Sequence, residues 1–195
     1  MDEASRSALI LGGGRSRRMG RDKRLISVQE TQYVLASEVA TLRRLGLPIW
    51  FAGGARDGAR PQLDGVGILW DLDPFAGPLV ALLDAWQVIS GDLLVLSADL
   101  PRLRHEFLLQ ILEEASAHPE AKAILPSDGQ RWQPLCAYYR SGTLAELEER
   151  RSAGERSLLA ALESFDPREF RLLNAAGEAS LRNWNQPRDR GETRP

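Results

Sequence analysis

Cysteine occurs once in the 195 residues, as Cys136, which excludes an internal disulfide and argues against a thiolate-rich zinc site. Histidine is almost as scarce: His105 and His118 are the only two, and both are expected at the surface, in and just past a helix. No apolar run approaches the ~18 residues that a bilayer span needs. The acidic opening Met1-Asp2-Glu3, followed by only the short apolar run Ala8 to Leu11, lacks the features of a signal peptide. Excess positive charge is missing too: 25 Lys+Arg stand against 27 Asp+Glu, a formal charge of −2. A protein that neutralises many nucleic-acid phosphates at once is thereby excluded, so any anion recognition must be local. Internal repeats and low-complexity linkers are also lacking. What remains, 43% hydrophobic and 27% charged residues, is ordinary for a folded globular chain. A single domain over residues 1–187 is expected, in a reducing, cytoplasmic setting, with a polar tail over 188–195 that frays.

Short apolar runs alternate with segments of helical periodicity. Ala8 to Leu11, Ile49 to Ala52, Gly67 to Trp70, Leu93 to Ser97 and Ala121 to Leu125 carry no polar alternation, as strands covered on both faces should. Between them, Leu35, Val39, Leu42 and Leu45 mark one helical stripe. Leu79, Leu82, Leu83, Trp86 and Ile89 mark a second, and Phe107, Leu108, Ile111, Leu112 and Ala115 a third. Gly46 and Pro48 end the first helix, and Pro78 suits the first turn of the second. Helices between buried strands imply an α/β domain with a mostly parallel sheet. Further on, Gln133 to Tyr139 reads as a strand, Leu144 to Arg151 and Ser157 to Ser164 as helices, and Phe170 to Leu173 as a late strand.

The segment after the first strand is the most informative. Positions Gly12 to Arg24 hold six basic residues (Arg15, Arg17, Arg18, Arg21, Lys23, Arg24), one acid (Asp22) and four glycines (Gly12, Gly13, Gly14, Gly20). Glycines let a backbone approach a ligand and aim several N–H groups at it, and the cations neutralise a polyanion. A solvated charged turn is the alternative. At the carboxyl end of a strand, however, the segment lies where open α/β sheets bind ligands. A P-loop does not fit, because five residues rather than four separate Gly14 from Gly20, and Arg21 follows. The dinucleotide fingerprint fails as well, meeting Arg17 where it needs glycine.

Leu11, the glycines from Gly12 or Gly13 onward, Ser16, Arg18, Met19, Gly20, Asp22 and Lys23 follow the pattern Leu-x-Gly-Gly-x-Ser-x-Arg-Met-Gly-x-Asp-Lys. In this the chain resembles the molybdenum cofactor guanylyltransferases, the MobA-like family of nucleotidyltransferases, from about Ala8 to Pro187. The resemblance implies a Rossmann-like three-layer nucleotidyltransferase fold. It also implies transfer of GMP from GTP to molybdenum-bound molybdopterin, with release of pyrophosphate. Molybdoenzyme maturation proteins are implied partners. Leu11-Gly12-Gly13 is similar to the guanylyl branch, whereas cytidylyl relatives tend to Ala-Ala-Gly or Ala-Gly. A cytidylyltransferase acting on molybdopterin, an enzyme using another phosphorylated acceptor, and a non-catalytic nucleotide-binding module are the rivals.

Three later segments extend the pattern. Asp99, in Ser-Ala-Asp99-Leu-Pro101, closes the strand Leu93 to Ser97, and a carboxylate there offers Mg²⁺ a hard oxygen. Taken alone, Asp99 would also suit the start of a helix over Arg102 to Glu114, but the family's Asp-x-Pro motif implies the metal role. Asp71 stands six residues before Gly77-Pro78-Leu79, where the resemblance implies a nucleotide contact, and Asp73 reads as a turn former. Ala81 replaces a second family glycine, and Ala52-Gly53-Gly54 replaces a family Asn, which leaves base or ribose contacts there to backbone. Asn183-Trp-Asn185-Gln-Pro187 matches a late Asn-x-Asn-x-Pro, so Gly77, Asn183 and Asn185 are implied pterin contacts. The implied nucleotide set is then Leu11, Gly12, Gly13, Gly14, Ser16, Lys23, Asp71 and Asp99, with Arg18 and Lys23 on the phosphates and Asp99 on the metal. Pro134-Leu-Cys-Ala-Tyr138 is similar to a family strand, and Cys136 reads as a small core residue. Trp50, Trp70 and Trp86 read as core, whereas Trp132 and Trp184 could stack on a ring.

Overall fold

A computed structural model of the chain describes residues 5–12, 28–53, 63–70, 76–127, 130–175 and 178–181. Seven strands and five α-helices lie within these residues. They run β1 (Arg6–Leu11), α1 (Val28–Arg43), β2 (Ile49–Ala52), β3 (Val66–Leu69), α2 (Pro78–Trp86), β4 (Asp92–Ser97) and α3 (His105–Ala117). They continue β5 (Ala123–Ser127), β6 (Cys136–Tyr139), α4 (Leu144–Ser152), α5 (Leu158–Glu163) and β7 (Phe170–Asn174). None of these helices is long and apolar enough to cross a membrane.

All strands join one sheet in the order β3-β2-β1-β4-β6-β5-β7. The pairs β1–β2, β2–β3, β1–β4 and β5–β7 are parallel; β6 runs antiparallel between β4 and β5. Both faces are covered, which explains the unbroken apolar runs. Leu9, Leu11, Leu93 and Val95 point into a core completed by Leu79, Leu82, Leu83 and Trp86 of α2, Leu147 of α4 and Leu158 and Leu162 of α5. Ala8, Ile10, Leu94 and Leu96 point the other way, onto Leu35, Val39 and Leu42 of α1 and Phe107, Leu108 and Ile111 of α3. Successive side chains leave opposite faces of a strand, so a run such as Ala8 to Leu11 feeds both cores at once. The result is a three-layer α/β fold.

Several boundaries differ from the periodicity reading. The strand expected over Gln133 to Tyr139 is only Cys136–Tyr139, because Pro134 and Leu135 form a turn and the Cys136 N–H donates to the Gln133 carbonyl at 3.0 Å. Proline has no N–H for a ladder, so the strand cannot start earlier. Helix α3 starts at His105 rather than Arg102, with Arg104 at its N-cap, so Asp99 caps no helix. Trp86 is buried and Trp50, half-buried, packs against the same core, whereas Trp70 is half-buried. Trp132 packs edge-on against Phe170, with ring centroids 6.0 Å apart, which makes it a packing residue. The two histidines are half-buried, and the Nδ1 of His105 is buried.

Candidate active site

The sheet order reverses between β1 and β4: from β1 the chain builds outward through β2 and β3, then returns to place β4 on the opposite side. In open α/β sheets the crevice at such a reversal, outside the carboxyl ends of the strands, is where ligands sit. The end of β1 and the turn after β4 meet there. The parallel register sets Leu11 opposite Ser97, and the Ala98 N–H donates to the Leu11 carbonyl at 3.1 Å. Neighbouring strands are ~4.8 Å apart. Leu11 and Gly12, at the end of β1, therefore lie beside the turn that carries Asp99.

Asp99 is half-buried, and the Ser97 hydroxyl donates to its Oδ1 at 2.6 Å, which orients the carboxylate. The turn beneath is held from three sides. The Ser97 N–H donates to the Leu135 carbonyl at 2.8 Å, the Ala98 N–H to Leu11, and the Leu100 N–H to Oε1 of Glu38 at 2.7 Å. Glu38 lies on α1 and is 1% exposed, and its Oε2 has no hydrogen-bond partner among the described residues. Burial, reinforced by the neighbouring Asp99 carboxylate and opposed by the Leu100 N–H, pushes its carboxyl from the ordinary 4.5 up to about 8. Glu38 was not among the sequence-predicted site residues. The signal was present: with Leu35, Val39 and Leu42 it fills the i, i+3, i+4, i+7 positions of one helical face, so an acid sits on an apolar stripe.

Gly12 has a packing reason to be glycine. A Cβ there would meet the Phe51 ring at 2.2 and 2.4 Å. Its N–H donates to the Ala52 carbonyl at 2.7 Å, so it is spent in the sheet rather than aimed at an anion. Gly12→Ala should destabilise the protein by about 1–3 kcal/mol. A second change, Phe51→Leu, should recover part of that loss in urea melts; equal loss in single and double variants would refute the steric account. Gly53 likewise donates its N–H to the Leu69 carbonyl at 3.1 Å, so base or ribose contacts there cannot use that group.

Gly77 is the N-cap of α2 with φ 110°, a left-handed value that side chains rarely adopt, and a Cβ would lie 2.6 Å from the Arg156 carbonyl. The same carbonyl accepts from the Leu79 N–H at 3.4 Å, so the chain before α5 closes over the start of α2. Pro78 occupies the first turn, as predicted, and Ala81 lies within the helix with its N–H on the Gly77 carbonyl at 3.1 Å. Cys136 is 2% exposed and its thiol is pushed up chiefly by burial, which suits a core residue. Gly13, Gly14, Ser16, Arg18, Lys23, Asp71, Asn183, Asn185 and the tail 188–195 lie outside the described residues.

Among the described residues no three His, Cys, Asp or Glu side chains converge as a metal cage. A hard carboxylate such as Asp99 suits a different arrangement, in which Mg²⁺ keeps its waters and takes further ligands from substrate phosphates. The donor chemistry of Asp99 fits that cation.

Residues 8–166 match the family model described as the MobA-like NTP transferase domain. The chain is 35% identical over 187 residues to a molybdenum cofactor guanylyltransferase of Pseudomonas syringae pv. syringae, covering 93% of this chain and 89% of that one. It is 30% identical over 201 residues to a probable molybdenum cofactor guanylyltransferase of a Nostoc species, covering 94% and 87% respectively. In fold it is similar to molybdopterin-guanine dinucleotide biosynthesis protein A of Archaeoglobus fulgidus, with a TM-score of 0.68, 21% identity and 94% of each chain covered.

Proposed function

The chain belongs to the MobA-like NTP transferase family, and from that premise we propose that it transfers GMP from GTP to the phosphate of molybdopterin, releasing pyrophosphate. The observation that carries this reading is the crevice between β1 and β4, where the register of Leu11 opposite Ser97 sets the end of β1, which the Gly-Arg segment follows in sequence, beside the turn that carries Asp99. Identities of 35% and 30% to proteins named for guanylyl transfer favour GTP as the donor and molybdopterin as the acceptor.

The reaction is an in-line attack by the acceptor phosphate on the α-phosphorus, with charge growing on the departing pyrophosphate. Positioning and electrostatic stabilisation supply most of the acceleration in such transfers. Lys23 and Arg18 neutralise the β- and γ-phosphates, with Gly13, Gly14 and Ser16 available for closer contacts. Asp99, oriented by Ser97, would hold the metal. Mg²⁺, when bound, neutralises phosphate charge and orients the reacting oxygens. Asp71 contributes to nucleotide binding, while Gly77, Asn183 and Asn185 contribute to the acceptor side. The setting is the cytoplasm, where molybdoenzyme maturation proteins would receive the product.

Pyrophosphate release with GTP, Mg²⁺ and molybdopterin tests the reading. GTP should be turned over at least tenfold faster than CTP. Preferential use of CTP would reassign the chain to cytidylyl transfer. Thermal stabilisation by Mg²⁺ and GTP with no pyrophosphate release would reduce it to a nucleotide-binding module.

A further inference from the structure

We infer that Glu38 is a positioning residue that locks the Asp99 turn to helix α1 and so holds the metal-bearing carboxylate in place beside the end of β1. The inference rests on the nucleotidyltransferase reading, which supplies the metal, and adds a residue that reading does not use.

Three observations carry it. Glu38 is an acid at 1% exposure on a face otherwise occupied by Leu35, Val39 and Leu42. An acid is costly there unless it makes a contact that an apolar residue could not. Its Oε1 accepts the Leu100 N–H at 2.7 Å, one residue after Asp99 and 62 residues away in sequence. Finally, α1 is the helix that follows the Gly-Arg segment, so this one hydrogen bond joins the element after the first half of the crevice to the turn that forms the second. Ser97 sets the carboxylate's orientation, while Glu38 sets the backbone that carries it. Leu100 is itself 2% exposed, so its N–H cannot turn to water if Glu38 is lost.

Partners that orient a metal ligand typically change metal affinity or activity by 10–100-fold when removed. Glu38→Met keeps the volume and deletes the acceptor; Glu38→Gln keeps an acceptor oxygen. Three quantities should be read at fixed pH: Mn²⁺ binding in the presence of GTP by electron paramagnetic resonance, hydrogen exchange at the Leu100 amide, and the steady-state constants for pyrophosphate release. Glu38→Met should weaken Mn²⁺ binding and lower kcat by about tenfold or more. It should also speed Leu100 exchange and leave KM for GTP within about twofold. Glu38→Gln should restore most of each. The inference is overturned if both variants bind Mn²⁺ like the wild type, or if Gln rescues nothing although both are folded. Wild-type protein that holds Mn²⁺ with GTP yet releases no pyrophosphate would sink the transferase reading, while the Mn²⁺ and exchange comparisons still decide the role of Glu38. Wild-type protein that holds no Mn²⁺ would overturn both.

Discussion

Asp99→Ala should lower nucleotidyl transfer by about 10²–10³-fold, the cost of deleting one preorganised charge from an electrostatically driven step. Its melting temperature should stay close to that of the wild type. The reason for the second expectation is that Asp99 caps no helix: Arg104 is the N-cap of α3. The ties that hold the turn are made by the N–H groups of Ser97, Ala98 and Leu100, and a shorter side chain at 99 leaves all three in place. Asp99→Asn sharpens the test. It retains an oxygen within reach of the Ser97 hydroxyl and removes only the charge, so it should be nearly as inactive as the alanine variant. Pyrophosphate release measures the first effect and a thermal melt the second. Substantial activity in either variant would refute the metal role of Asp99.

The second large effect concerns pH. Glu38 is held at about 8 in the folded protein against an ordinary 4.5. The folded state therefore binds a proton that the unfolded chain has released throughout the interval between these values. Stability from this group is fully present below about pH 4.5 and is lost as pH rises through about 8. For a fully buried carboxyl the loss amounts to roughly 3–5 kcal/mol across that window. Glu38→Gln cannot ionise, so its stability should be flatter between pH 5 and 9 and should exceed that of the wild type at the alkaline end. Urea denaturation at several pH values measures both curves. Parallel curves would show that Glu38 does not titrate with folding.

Much of this molecule could be read from residue order. The apolar runs at Ala8, Ile49 and Leu93 became strands because a strand covered on both faces needs no polar alternation. The stripes led by Leu35, Leu79 and Phe107 became helices because their spacing keeps one face apolar. Gly46, with φ 71°, and Pro48 mark the end of the α1 region as their backbone preferences require. The family was legible in the Gly-Arg segment because close phosphate contact demands particular residues at particular intervals, and those are local properties of the chain.

Contacts between distant segments were not legible. Gly12 looked like part of a phosphate cradle, yet its hydrogen atom in place of a side chain is required by the Phe51 ring on the neighbouring strand. Asp99 resembled a helix cap until the following turn pushed the start of α3 to His105. Glu38 stands on an apolar helical stripe, which marks it as unusual, but only the packing of α1 against Leu100 gave it a structural task. Sequence alone determined the element types, the layered class and the family, since these depend on periodicity and short motifs. Tertiary structure decided which glycine is steric, where β6 reverses, and which acid supports which. Those outcomes depend on what each side chain meets across the sheet, and residues 62 apart have no local rule that brings them together.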